Sequence, residues 1–450
     1  MTDDTFDPAA LLDDLMSRAK RAGADAADTI LARGRSQSVA QRLGTPEAVE
    51  RAEGQDLGLR VFVGQRQAVV STSDLSADAF DDLIGRALAM ARAAPEDRYA
   101  GIAEPSDIAK SWPEIEMFDP TEPPAETLVE RARIAEDAAR AVDGVTNSEG
   151  AEASWGVTDV TLAASNGFIG RYKRSSFSFG VSVLVGTGQK MERDYDYAAT
   201  VFDADLEDPA EVGRRAGERA VARLNPKRPR TAALPVVFEP RAARSLLGHL
   251  AGAVNGAAIA RGTSFLKDKM GEALFAPGIT IRDDPHRARG FRSKPFDAEG
   301  LATHSRVVID GGHLTTWFLD LATARQLGLR STGHASRGTG GTPSPSATNL
   351  YLEPGTLNPE ALIGEIERGF YVTEMMGSSV NLITGDYSRG AAGFWIENGA
   401  LTFPVSELTI AGHLKDLFAS LTPADDLIFK YGMDSPTVRV EGLTIAGGDD

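Results

Sequence analysis

Metal and acid–base chemistry would have to start from six histidines, His249, His286, His304, His313, His334 and His413. No two of them stand three to five residues apart, the spacing that sets two imidazoles on one helix face around zinc, and no H-E-x-x-H segment occurs. A metal site would have to be assembled from distant segments. The chain has no Cys, which removes thiolate zinc sites, iron–sulfur clusters, disulfides and cysteine nucleophiles together. Serine hydrolysis is unsupported: there is no G-x-S-x-G elbow, and no S-x-x-K stands out from ordinary surface helix. A phosphate cradle is unsupported too, because Gly338-Thr339-Gly340-Gly341 runs into Pro343 and the Gly-Lys dipeptide of a P-loop is absent. The densest stretch is Ile383 to Gly399. Its Asp386 and Arg389 could orient a ligand, although such a pair in a glycine-rich turn more often bonds the backbone and each other.

The elements that must position these residues belong to a chain of 450 residues, enough for two to four domains. Hydrophobic residues make up 42% and charged residues 25%, as in ordinary globular proteins, so wholesale disorder is excluded. The formal net charge of −17 repels phosphate backbones and anionic lipid, which argues against nucleic acid and membrane surfaces as partners. No run of about 18 apolar residues is present, and Met1 to Pro8 is acidic without a signal peptide's basic flank. A soluble cytoplasmic protein is expected.

Residues 9–22 carry one apolar helical stripe, and strands are expected at Thr29 to Ala32, Ser36 to Leu43, Leu57 to Val63 and Gln67 to Thr72. Ser76 can cap the helix that follows. Prolines at 95, 105, 113, 120, 123 and 124 forbid a long helix and mark a connection. Helix 125–142, with Gly144 as its C-cap, precedes strands Val157 to Ala163, Phe168 to Arg174 and Phe177 to Val185. The basic connector Asn225 to Thr231 follows helix 209–224; its cations could hold a small anion but are more simply solvated. Beyond it come strand Leu234 to Phe238, a helix opened by Pro240 with His249 near its middle, and a hairpin turning at Asn398-Gly399. Ser331 to Ala347, rich in Gly and poor in apolar residues, reads as a long mobile loop. The expectation is an α+β protein of two smaller N-terminal α+β units, 1–110 and 111–230, and a large β-rich C-terminal domain, 231–450.

Gly248 to Gly256, Thr263 to Leu266, Pro295 to Gly300, Arg325 to His334, Thr348 to Tyr351, Ile383 to Gly399 and Pro404 to Gly412 resemble the TldD/PmbA family, and within it the PmbA (TldE) branch. In the first 230 residues the resemblance rests on element order and on pieces such as Met191 to Tyr195. It implies a cytosolic two-subunit metallopeptidase that trims peptides and unfolded segments, antibiotic precursors among them. The TldD-like chain carries zinc in an H-E-x-x-x-H helix with a distant Cys. An older label for the family is modulator of DNA gyrase.

Carried onto this chain, the second His of that motif is His249, while the first His and the Glu fall on Arg244 and Ser245. A guanidinium repels zinc and stays protonated, and a hydroxyl cannot take a proton from zinc-bound water as a general base. The resemblance therefore implies no catalytic residue, no cofactor and no metal in this chain, with zinc in a TldD-like partner. A peptide or unfolded substrate would be held by main-chain pairing to an exposed strand edge, Thr348 to Leu352 or Phe394 to Ile396 if these are not sheet interior. A homodimer could form without the partner, and His249 reads more simply as a packed remnant than as a working group. Two other classes remain: an independent adaptor of the gyrase-modulator type, and a stand-alone hydrolase using His249 with scattered carboxylates.

Overall fold

Side chains at every second residue of a strand share a face, and in the N-terminal half one such face is apolar wherever a helix covers it. The computed structural model describes residues 6–447. Its first half runs α1 (Pro8–Arg21), β1 (Ala26–Arg42), β2 (Thr45–Val63), β3 (Arg66–Thr72), α2 (Ala77–Ala93), α3 (Ala125–Arg140), β4 (Val145–Ala164), β5 (Ile169–Val185), β6 (Glu192–Thr200) and α4 (Pro209–Ala222). The strands make one antiparallel sheet in the order β3-β2-β1-β4-β5-β6. Pairing from Asp28↔Ala164 to Gln41↔Ala151 carries the ladder across residue 110, so strands from both sides of that point share the sheet.

Two helix pairs cover separate ends of the same face. Leu12, Leu15, Leu83 and Ala87 of α1 and α2 pack on Leu31, Leu57, Leu59 and Val61. Leu128, Ala132, Val212 and Ala216 of α3 and α4 pack on Trp155, Phe177, Phe179 and Val181. Gly213 makes the close approach of α4 to α3 possible, since a Cβ there would enter the Ala135 carbonyl. Asp7 and Ser76 cap α1 and α2 through the amides of Ala9 and Ala79.

Three local expectations are corrected. Thr29 to Ala32 and Ser36 to Leu43 are one strand apart from Leu43, which turns at φ 51°, and Phe168 to Arg174 and Phe177 to Val185 are one strand apart from Phe168. The apolar pattern lapses between the helix pairs because no helix among the described residues covers the face there, while the backbone ladder continues. Helix α3 ends at Ala141 in right-handed geometry, and Gly144, at φ 99°, serves the turn into β4 instead of capping the helix.

The other sheet face meets the C-terminal half. Ile30, Val160, Leu162 and Phe168 bury Phe296 there, and Trp112 and Phe168 lie 4.8 and 5.1 Å from its ring centre in edge-on geometry. The C-terminal half contains β7 (Ala232–Phe238), α5 (Pro240–Ala253), α6 (Gly256–Ala260), β8 (Ile281–Asp283), β9 (Arg306–Asp310), β10 (His313–Leu314), α7 (Leu321–Leu327), β11 (Ala335–Ser336), β12 (Ser344–Pro345), β13 (Leu350–Leu352), α8 (Pro359–Gly364), β14 (Arg368–Val380), β15 (Asp386–Glu397), β16 (Ala400–His413), α9 (Leu414–Ser420), β17 (Thr422–Pro423), β18 (Met433–Asp434) and β19 (Val438–Ala446). Strands β16-β15-β14-β7-β19 form a sheet whose ends also pair, Ile410↔Ile445, so these five close into a barrel. A second sheet, β10-β9-β8-β13-β18, packs beside it through one continuous core. Asn398 and Gly399, at φ 51° and 76°, turn the β15–β16 hairpin as their sequence requires.

Ser331 to Ala347 is an ordered strap and not the mobile loop its composition suggested. β11 pairs with β12, His334 and Ala335 are buried, and Thr339 bonds Asp56 of β2. Gly58 lets it land: a Cβ there would overlap the Thr339 carbonyl. Beneath the strap Arg337, its side chain 1% exposed, places Nη1 2.5 Å from Asp28 Oδ1, and Arg60 donates to Oδ2 of the same carboxylate. Polar tertiary contacts hold what the glycines and the lack of apolar residues made look free.

Candidate functional site

Helix α5 carries the three positions that correspond to a zinc motif. Pro240 opens it, and Ala242, Ala243, Leu246, Leu247 and Leu250 bury one face in the C-terminal core. Arg241, Arg244, Ser245 and His249 are thereby directed along its margins, each into a different environment.

Arg241 is bound into a buried ion-pair network. Nη1 and Nη2 donate to Asp194 at 2.9 and 3.1 Å, Nε lies 2.6 Å from Glu239, and Nη1 reaches the Tyr195 carbonyl at 3.3 Å. Burial works to raise the Asp194 carboxyl, but hydrogen bonds and charge from Arg241, the Tyr195 amide and Arg223 outweigh it and hold the group below the ordinary range. Arg223 of the segment after α4 also pairs with Glu374. This network ties β6, the last strand of the N-terminal sheet, to α5 and β14.

Arg244 lies 4.3 Å over the ring centre of Tyr431, and Tyr431 lies 5.8 Å from Tyr197, which stacks on Tyr195. The Ser245 hydroxyl donates to the Ala242 carbonyl at 2.7 Å, a bond back into its own helix. His249 is half buried. Its Nε2 is sealed from water without a partner, as is the hydroxyl of Tyr387, whose ring meets the imidazole edge-on at 5.8 Å. Burial and then the positive charge of Arg389 push the His249 imidazole down to about 4, and burial pushes the Tyr387 hydroxyl up.

This donor set does not fit zinc. It offers one imidazole nitrogen buried without a hydrogen-bond partner, a guanidinium stacked on a ring and a hydroxyl committed to the backbone, and no three His, Asp or Glu side chains converge on a metal-sized position among the described residues. The other histidines are spread through the fold. His334 bonds Asp283 at 3.1 Å and Thr332 at 2.8 Å beneath the strap, and His286 bonds Thr303. His413 caps α9 by accepting the Lys415 amide and donating from Nε2 to the Thr384 carbonyl. Asp386 accepts from the Thr384 hydroxyl, and Arg389 reaches the Met376 carbonyl at 3.3 Å; the two are not bonded to each other.

Neither expected strand edge is an edge. β13 lies between β8 and β18, and Phe394 to Ile396 lie in β15 between β14 and β16. Each strand has a hydrogen-bonded neighbour on both sides, β13 in the second sheet and β15 in the barrel, so the ladder groups that a free edge would present are already used. The tyrosine and arginine cluster around Arg244 was missed by sequence reasoning, because Tyr195, Tyr197 and Tyr431 are brought together only when β6 docks on α5. Met191 to Tyr195, quoted for its resemblance, contains the Asp194 that organises the junction. In Pro295 to Gly300, Asp297 accepts the amides of Glu299, Leu301 and Ala335, and Glu299 accepts that of Leu321, so this motif seats the strap and α7.

Family models match along the chain in order: PmbA/TldA metallopeptidase domain 1 at residues 27–91, the central domain at 118–224 and the C-terminal domain at 231–447. Metalloprotease PmbA of Escherichia coli O157:H7 is 36% identical over 425 residues, 94% of this chain and 92% of that protein. The crystal structure of a candidate modulator of DNA gyrase from Bacteroides thetaiotaomicron superposes with a TM-score of 0.90 at 28% identity, covering 98% of both chains. TldE from Thermococcus kodakarensis has the same fold, with a TM-score of 0.87 at 22% identity over 97% of this chain and all of that one (100%).

Proposed function

The chain belongs to the PmbA/TldD metallopeptidase family, and on that premise we propose that it is the non-catalytic, PmbA/TldE-like subunit of a two-chain peptidase whose zinc is held by a TldD-like partner. One observation carries this reading: on α5, Arg244 is stacked on Tyr431 and Ser245 is bound to the Ala242 carbonyl, where a zinc ligand and a general base would have to stand. A guanidinium cannot ligate a cation, and a serine hydroxyl is too weak a base to take a proton from metal-bound water. The role left to this chain is to complete and shape a cleft for peptides or unfolded segments. The net charge of −17 disfavours nucleic acid as a competing ligand. No helix among the described residues is long and apolar enough to cross a membrane, which is compatible with work in the cytoplasm.

The test is the zinc content of the chain purified alone without chelator, followed by cleavage of an unfolded, dye-labelled protein by this chain, by a TldD-like chain and by the two mixed. Less than about a tenth of an equivalent of zinc, with cleavage requiring the TldD-like chain and co-purification of the pair, is expected, because functional zinc is held tightly. Near one equivalent, lost on His249→Ala, or turnover by the isolated chain would overturn the reading in favour of a hydrolase. Failure of the two chains to associate would overturn it in favour of an adaptor. Sedimentation of the chain alone tells whether it forms a homodimer without its partner.

A further inference from the structure

Between the two helix pairs, the helix-bearing face of the N-terminal sheet lies open as a trough of about 950 Å³. It is where the apolar alternation of β1, β2, β4 and β5 lapses. Odd-numbered residues such as Leu31, Leu59, Val61, Trp155 and Phe177 are covered by helices on either side. The odd-numbered residues of these strands in the gap are Gln55, Val157 and seven charged ones, Arg33, Arg35, Arg51, Glu53, Asp159, Arg171 and Lys173. Five cations face two carboxylates in a chain whose net charge is −17. Arg35 is satisfied by Glu122 at 2.6 Å, and Arg171 by Asp159. Arg33, Arg51 and Lys173 have no carboxylate partner among the described residues. Arg33 lies 4.5 Å over the Phe6 ring and Lys173 5.3 Å over Phe118, so aromatic walls hold both cations at the two sides of the trough.

We propose that this trough docks an extended acidic segment of polypeptide. Like charges gathered on one solvated face repel one another at no benefit to the fold, whereas they attract and orient an anionic chain. Arg33 and Lys173 flank Asp159 across three adjacent strands, Arg33↔Asp159 and Asp159↔Lys173. They stand roughly 10 Å apart at the ordinary strand spacing, within reach of Glu or Asp side chains a few residues apart in an extended chain. Glu53 and Asp159 inside the trough decide between polymers. A phosphodiester backbone is negative at every repeat and meets them unfavourably, while a peptide can place a neutral or basic residue opposite each. The inference goes beyond the proposed function and does not depend on it, since the trough lies on the N-terminal sheet and the zinc-motif positions lie on α5.

The test uses the full chain and fluorescence anisotropy with three dye-labelled probes: a decapeptide of alternating Glu and Ser, the same peptide with Lys for Glu, and a single-stranded oligonucleotide of equal charge. The Glu peptide is expected to bind, to weaken as salt shortens the Debye length, and to bind about tenfold more weakly when Arg33, Arg51 and Lys173 are all changed to Gln. Arg51→Glu with Lys173→Glu, both at exposed positions, should lose the Glu peptide and gain the Lys peptide. Equal binding of the Glu and Lys peptides by the unaltered chain, tighter binding of the oligonucleotide, or affinity unchanged in both variants would overturn the proposal.

Discussion

Replacing Asp28 by Asn should be far more damaging than removing Arg337, although the two form one contact. Asp28 is 5% exposed, between Arg60 at 4% and Arg337 at 1%, at the junction of β1, β2 and the strap. Asp28→Asn leaves two buried guanidiniums facing each other without the carboxylate they share, and breaking a buried pair in this way costs about 3–5 kcal/mol. Arg337→Met is different. Asp28 keeps its bonds from Arg60, and the substitution removes Nε and Nη2 groups of Arg337 that are buried without partners, so the lost attraction is largely offset and the cost is about 1 kcal/mol or less. Burial acts to raise the Asp28 carboxyl, but Arg337 and Arg60 together bring it below its ordinary value. Its contribution is thus fully present above about pH 3.9 and is lost as pH falls through the lowered folded value. Thermal unfolding at pH 7 with hydrogen exchange of residues 331–347 reads both effects. Asp28→Asn should lower the midpoint by roughly 10 °C, at about 2–4 °C per kcal/mol for a unit of this size, and expose the strap amides. A fall for Arg337→Met equal to or larger than that for Asp28→Asn would refute the reasoning.

Gly58→Ala should cost about 1–3 kcal/mol by pushing the strap off β2, and hydrogen exchange should quicken at 338–341 while the core around Leu128 keeps its protection. Burial, then repulsion from Asp297, raises the Glu299 carboxyl to about 8, so the stability it provides is complete below the ordinary Glu value of about 4.3 and is lost as pH rises through about 8. Glu299→Gln should remove that decline, seen as thermal midpoints at pH 5 and pH 8.5 drawing together relative to the unaltered chain. His249, depressed to about 4, acts with the opposite sign: its contribution is present above about pH 6.5 and is lost as pH falls toward 4. His249→Leu should flatten the acid side of the stability profile and leave the neutral midpoint level or higher, because an unpartnered buried nitrogen goes with the ring; a large loss at pH 7 would show that the imbalance around His249 is misjudged.

Much was legible from local pattern alone. The cap at Ser76, the proline opening α5, the Asn398-Gly399 turn and the apolar stripes of α1 to α5 depend on neighbours within a few residues, and the folded chain uses them as their chemistry requires. The absence of Cys and the identities of Arg244 and Ser245 are likewise complete statements about chemistry before any fold is known. Tertiary structure decided what depends on long-range cover. β1 and β5 run unbroken through polar stretches because ladder hydrogen bonds do not need a hydrophobic face. The strap is ordered because Arg337 finds Asp28 and Thr339 finds Asp56, both about three hundred residues earlier. Strands that looked free for peptide pairing are interior because β8 and β18 flank β13, and β14 and β16 flank β15. The stacking of Arg244 on Tyr431 and the cations gathered from β1, β2 and β5 arise in the same way. Periodicity and capping are short-range properties written in adjacent residues, whereas burial, charge pairing and edge closure are set by which distant segments meet.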